Sequence, residues 1–371
     1  MNYNKLNDEL FDKYCKDYEK IPPLIPKSVR RIIAIGDIHG DLKYVQSAFL
    51  MAGLMDQNCK WTGGDTVVVQ TGDQIDSGYR GTEKNPINYR DEEDPVEDID
   101  VLHFMTDMDR QARKDGGAVY SLLGNHEIDN VRKIYSYVSH NNAYQFDYSE
   151  DGQNYKGLEG RWYAFQPGGP LAKFLACTRN SALIIGKNIF MHANIFDFLD
   201  RYPGIQDQEK FFYLNYIVRK WLLHLTDKKE NDIVKDINEK YYSFFDYYHG
   251  QERYLGNLPS KLNINNEKCR YVENILAKYG PIFKIGRLIV AHTIQDRINA
   301  TCSNKVIRID IGTNRAFKYI NDDKKKHSFV EVLEIINDKI FKVISQPYNP
   351  LPTIKPTPKS NRSKFLIQTI V

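Results

Sequence analysis

Three times in its first third the chain runs through a short apolar stretch that stops at a glycine and a polar side chain. The stretches are RRIIAIGD (30–37), TVVVQTGD (66–73) and AVYSLLGN (118–125). Each reads as a buried strand, rich in β-branched residues and bounded by glycine. Helical spacing fills the gaps, through Leu42, Val45, Ala48, Phe49 and Ala52, and again through Ile99, Leu102, His103, Met105 and Met108. Strands alternating with helices imply a layered α/β core. Polar residues directly after strand ends are where such cores gather their chemistry.

The rest of the chain extends the pattern. Leu183 to Met191 reads as a strand pair around Gly186, and strand signals recur at 288–290, 306–311, 329–336 and 340–344. Residues 195–280 are helical in pattern and rich in aromatics, so they read as an inserted helical cap. Residues 1–29 read as a polar arm and a linker, because the prolines of Ile21-Pro22-Pro23-Leu24-Ile25-Pro26 fit neither a helix interior nor a central strand. The main domain is then 30–346. Residues 347–371, Pro-rich and without an acidic side chain, read as a loosely held basic tail.

Charge and cysteines exclude several function classes. Lys and Arg total 51 against 48 for Asp and Glu, too balanced for a purely electrostatic nucleic-acid binder. No apolar run reaches the roughly 18 residues that a membrane span needs. The five cysteines form no Cys-x-x-Cys pair, which argues against a zinc ribbon or a disulfide scaffold and for a reducing compartment. With a charged N-terminus, the expectation is a soluble cytoplasmic protein with no membrane or specific nucleic-acid partner.

Five polar clusters follow strands: Gly36-Asp37-Ile38-His39-Gly40, Gly72-Asp73-Gln74-Ile75-Asp76, Gly124-Asn125-His126-Glu127, Met191-His192-Ala193 and Ala291-His292-Thr293. Any one of them is more simply a turn, a helix cap or a half-buried histidine. The ordered set supplies carboxylates, an amide oxygen and imidazoles, the donors of two divalent cations. Carboxylates suit Mn²⁺, and imidazoles suit zinc or iron. Two cations about 3.5–4 Å apart lower the pKa of a bridging water and neutralise a phosphoryl group, which solves both problems of phosphate-ester hydrolysis.

In this order the clusters resemble the phosphoprotein phosphatase branch of the calcineurin-like metallophosphoesterases, nearest the Shewanella-like phosphatases, over roughly 30–317. The blocks AGLMDQNCKWTGGDTVVVQTGD, GGPLAKFL, GRLIVAHT and VIRIDIGTNRAF carry the likeness to that subgroup. The resemblance implies a four-layer α/β/β/α sandwich. It implies one metal on Asp37, His39 and Asp73, and a second on Asp73, Asn125, His192 and His292. It also implies His126 as general acid, oriented by Asp76, with a metal-held hydroxide attacking a phosphoprotein or phosphopeptide.

The chain departs from the family pattern in places. Ser77 stands where an arginine usually follows Asp76, Leu123 precedes Gly124, and Ala193-Asn194 replace two glycines. Arg253, Arg315 and Arg80 are the candidates to face the phosphate, since arginine suits bidentate contact with its oxygens. The acidic run 91–100 reads as a solvated face. Two alternatives stand beside the phosphatase reading: a phosphodiesterase or nucleotide-polyphosphate hydrolase on the same core, and a degenerate phosphatase that binds phosphoproteins without turnover.

Overall fold

The computed structural model describes residues 1–79, 86–90, 94–150, 152–193, 195–196, 204–234, 264–317 and 329–348. Two six-stranded sheets carry it. The first combines β2 (Arg31–Ile35), β3 (Val67–Gln70), β4 (Ala118–Leu122) and β7 (Arg179–Asn180) with β13 (Phe329–Ile336) and β14 (Ile340–Pro347). The second combines β1 (Leu24–Ile25), β8 (Ala182–Ile185), β9 (Asn188–Met191), β10 (Arg287–Val290), β11 (Asn299–Thr301) and β12 (Val306–Arg308). Their orders are β14-β13-β2-β3-β4-β7 and β1-β8-β9-β10-β12-β11. The neighbours β2, β3 and β4 are parallel, as are β9, β10 and β12, so each set delivers its C-terminal loops to one edge. A small hairpin, β5 (Asp147–Glu150) with β6 (Gln153–Lys156), stands apart from both sheets.

Alternation along the strands builds the layers, since successive side chains point to opposite faces. Ile32, Ala34, Val67 and Val69 meet Leu183, Ile185, Phe190 and Ile289 between the sheets. On the outer face of the first sheet, Ile33, Ile35 and Val68 pack on α2 (Leu42–Met51) and α3 (Asp98–Lys114) through Val45, Phe49, Val101 and Met105. On the outer face of the second, Ile184, Ile189, Met191 and Val290 share a core with α7 (Pro170–Thr178), α8 (Asp207–Leu222) and α9 (Ile264–Phe283). The order of layers is α/β/β/α. Each fully buried isoleucine or phenylalanine contributes about 1.5–3 kcal/mol. Two shorter helices matter to the site, α4 (Asn125–Val131) and α6 (Gly157–Phe165), with α5 (His140–Tyr144) between them in the chain.

The segment 195–280, read as a helical insertion, supplies α8 and α9 to the outer helical layer, while its stretch 235–263 lies outside the described residues. The N-terminal segment, read as a polar arm and a linker, contributes a helix and a strand to the fold. Helix α1 (Tyr3–Tyr14) packs on α8, with Asn7 and Phe11 buried. Leu24 and Ile25 pair in parallel with Ile184 and Ile185 at the sheet edge, where the flanking prolines have no ladder bond to break. Of the tail 347–371, only 347 and 348 are described.

The cysteine reading is also corrected, because disulfides join Cys15 to Cys177 and Cys269 to Cys302. These partners lie 162 and 33 residues apart, so the fold and not local spacing brings them together. The argument from cysteines to a reducing compartment falls with them. Among the described residues, no helix is long and apolar enough to cross a membrane.

Candidate metal centre

The loops after β2 and β3 are laced together by backbone bonds, Ile38 and His39 N–H donating to the Asp73 carbonyl at 2.9 and 3.0 Å. Glu127, fully buried, accepts from the N–H groups of Asp73, Gln74 and Gly124 at 3.0, 2.8 and 2.7 Å, which ties the third loop to the second. Gly124 cannot be replaced easily, since a Cβ there would collide with Asp73 Oδ1. His39, Asp73, Asp76 and His292 all hold left-handed backbone, with φ of 49, 54, 72 and 66°. Such conformations cost non-glycine residues energy and persist only where surroundings over-determine them, a pattern typical of functional sites.

Asp73 sits at the centre. Its Oδ2 lies 3.2 Å from His192 Nε2, 3.7 Å from His126 Nε2 and 3.9 Å from His39 Nε2. His39, Asp73 and His126 form one group of donors within 4.8 Å of one another; Asp73, His192 and His292 form a second. Asp73 belongs to both. Around His192 Nε2 the contacts are Asn125 Oδ1 at 3.0 Å and His292 Nδ1 at 3.1 Å. The other ring nitrogen, Nδ1, faces the Thr71 carbonyl at 3.0 Å, which can only accept, so Nδ1 carries the proton of the neutral ring. Nε2 then brings a lone pair to a point where two oxygen acceptors, Asp73 Oδ2 and Asn125 Oδ1, and a ring nitrogen of His292 converge. A cation satisfies that arrangement, and it fits oxygen and imidazole ligands well. His39 is arranged likewise, Nδ1 facing the Ile75 carbonyl at 3.3 Å and Nε2 lying 3.8 Å from Asp37 Oδ2.

The electrostatics agree with this fit. Burial, Asp310 and Asp73 push the Asp37 carboxyl well above the usual range. Burial also pushes Asp310 up to about 6, against the Gly312 N–H and Asp37 that lower it. The neighbouring buried carboxylates thus make charge on Asp37 costly, the setting in which a bound cation is most favourable. Burial opposes ionisation of Asp73, yet His192, His126 and His39 hold its carboxyl well below the usual range.

His126 opens α4. Its N–H donates to Asp73 Oδ1 at 3.0 Å, and its Nδ1 lies 2.8 Å from Asp76 Oδ2. The remaining nitrogen, Nε2, faces Asp73 across 3.7 Å. An imidazole held through Nδ1 by a buried carboxylate, with Nε2 turned to the centre, is arranged to pass a proton.

The strand-end residues Asp37, His39, Asp73, Asp76, Asn125, His126, His192 and His292 are thus brought to one place. Arg80 and Arg253 lie outside the described residues, as does Asn194. Arg315 gives its Nη2 to Glu97 Oε2 at 3.0 Å and Gly40 O at 3.3 Å, near Asp41, so its charge is paired within the loop. Burial opposes that charge, but Asp41 and Glu97 raise its pKa above the ordinary value. Ser77 is buried, its Oγ bonded to Ser139 and Asn142. The solvated-face reading of the acidic run fails at Asp94 and Asp98, both buried, because Asp98 faces the charged Arg161.

The sequence reading gives no role at the site to Glu127, Asn130, Arg161, Asp98 or Asp310. Asp310 ends the run after β12, so the strand-end rule could have found it. Arg161 sits on a helix in an unremarked GRWYAF and carries no local signal.

The sequence pattern of the calcineurin-like phosphoesterases matches residues 30–295. A protein of Acanthamoeba polyphaga mimivirus is 40% identical over 262 residues, covering 66% of this chain and 99% of its own. Shewanella-like protein phosphatase 2 of Arabidopsis thaliana is 27% identical over 361 residues, covering 86% and 78%. The crystal structure of a cold-active protein-tyrosine phosphatase of a psychrophilic Shewanella species superposes with a TM-score of 0.56 at 18% identity, covering 91% and 84%, a likeness of fold.

Proposed function

This chain belongs to the calcineurin-like phosphoesterase family and is a hydrolase of phosphate esters; from that premise we propose that it is a metal-dependent protein phosphatase acting on phosphomonoesters. The observation that carries the proposal is Asp73, shared by two donor groups, with His126 Nε2 facing it. The protein phosphatases among its relatives support the substrate class.

Asp37, His39 and Asp73 would hold one divalent ion, and Asp73, Asn125, His192 and His292 the other. Manganese is the proposed working ion, since carboxylate, amide and imidazole donors are mixed, with iron or zinc as alternatives. Bound there, the ions supply charge to offset the phosphoryl oxygens and activate water. The chain does the rest. Thr71 and Ile75 carbonyls fix the His192 and His39 tautomers so that each Nε2 points inward. His126, charged, donates its Nε2 proton to the departing oxygen of a seryl, threonyl or tyrosyl residue. Asp76 stabilises the charged ring through Nδ1 and keeps it from rotating.

The test is phosphate release with Mn²⁺ from phosphoseryl and phosphotyrosyl peptides, p-nitrophenyl phosphate, its bis-ester and a dinucleoside polyphosphate. Monoesters should be preferred, and His126→Ala should lose about 100-fold or more in kcat. A strong preference for the diester or the polyphosphate would sink the proposal. So would background release equal in wild type and variant, the mark of a binding protein.

A further inference from the structure

Asp76 and Asp98 are both buried, 1% exposed, and one guanidinium joins them. Arg161, from α6, is itself wholly buried. Its Nη2 donates to Asp76 Oδ1 at 3.1 Å and to Asp98 Oδ2 at 2.8 Å, while its Nε donates to Asn130 Oδ1 at 2.7 Å. Asn130 returns its Nδ2 to the same Asp76 Oδ1 at 2.8 Å, and Asp98 Oδ1 accepts the Asp76 backbone N–H at 3.1 Å. The side chain of Asp76 is therefore tied to Arg161 directly and through Asn130, and its backbone through Asp98. That leaves Oδ2 aimed at His126 Nδ1. The residue so held is in left-handed backbone, which needs external support.

Burying a guanidinium is costly, and a buried ion pair is weak evidence for stability alone. Geometry is what a fork of this kind supplies best. We propose that Arg161 is a positioning residue for the hydrolysis: it locks Asp76 so that Asp76 presents the His126 ring with Nε2 toward Asp73. The inference rests on the reading of His126 as proton donor. Arg161 touches no substrate, and its effect passes through Asp76.

The alternative role is charge balance for Asp76 and Asp98. Arg161→Lys separates the two, because lysine keeps the charge but cannot reach three partners in one plane. A proton donor matters most for basic leaving groups. On the proposal, Arg161→Lys lowers kcat about 100-fold on a phosphoseryl peptide and no more than about 5-fold on dinitrophenyl phosphate. It keeps wild-type metal content, and ¹H–¹⁵N spectra show the His126 Nδ1–H proton, held by Asp76 in the wild type, exchanging with water. Should Arg161→Lys not fold, Arg161→Met combined with Asp98→Asn leaves the buried charge balanced and should show the same pattern. His126→Ala is the reference. If it discriminates between the two esters and the Arg161 variants do not, the positioning role is overturned while His126 stands. Equal losses on both esters in His126→Ala overturn the His126 reading, and the inference with it. A drop in metal content of the Arg161 variants also overturns it, by placing the effect at the metals.

Discussion

Between the sheets Ile32, Val69, Phe190 and Ile289 pack side chain on side chain, and a few residues further along the same strands Asp37, Asp73 and His292 crowd with His192 and Asp310. The backbone changes with the side chains. The strand interiors are ordinary β structure, whereas the strand ends hold His39, Asp73, Asp76 and His292 at positive φ. Interiors here are chosen for stability and ends for chemistry. The ends sacrifice stability for function, through strain and through carboxylates crowded together. Substitutions in the two regions should therefore leave opposite signatures.

The largest effect belongs to the centre of the ends. Asp73→Asn should lower kcat by about a thousandfold or more, since several kcal/mol of charge stabilisation would depend on the ions it helps to hold. In metal-free protein Asp37→Asn, by contrast, should melt no lower than wild type, because burial, Asp310 and Asp73 make the Asp37 charge costly there. A clear loss of melting temperature there would break the comparison. Inside the sandwich the signature should invert. Ile33, fully buried against α2 and α3, should cost about 2–5 kcal/mol as alanine in urea unfolding, with kcat unchanged in the folded fraction.

The N-terminal clamp should follow the interior. Cys15→Ser opens a loop spanning 162 residues and should cost about 2–4 kcal/mol, with kcat retained. Peptide mapping with and without reductant checks the pairing itself. The ends should recover stability once ions bind, by about 2.7 kcal/mol at a hundredfold excess of Mn²⁺ over its dissociation constant, read as a rise in melting temperature.

The smallest effect concerns acid. Burial, with Arg179 and Arg110, lowers His103 from 6.5 to about 4. Above pH 6.5 both folded and unfolded chains carry it neutral, and its contribution is complete. As pH falls from 6.5 toward 4 the unfolded chain takes a proton that the folded one refuses, so stability declines. Because the ring is partly exposed, the loss should be about 1–2 kcal/mol, and His103→Gln should flatten that part of the pH–stability curve.

What could be read from the sequence follows from how local each constraint is. Strand runs, their alternation and the polar residues at their ends are set within a few positions, so the layers and the residues around Asp73 were legible. Arg161 meets Asp76 across 85 residues and Cys15 meets Cys177 across 162, contacts that no window along the chain contains. The acidic run misled for the same reason. Asp98 looks solvent-facing beside its neighbours, and only the arrival of α6 shows it to be a buried partner of Arg161. Proline likewise marked 21–26 as irregular, while its sheet-edge position lets Leu24 and Ile25 pair.

Anomalous scattering from crystals grown with Mn²⁺ bears most directly on the shared aspartate. Two peaks should flank the Asp73 carboxylate, one beside His39 and one between His192 and His292, and Asp73→Asn should lose at least one. A single peak, or two that leave Asp73 untouched, would contradict the account.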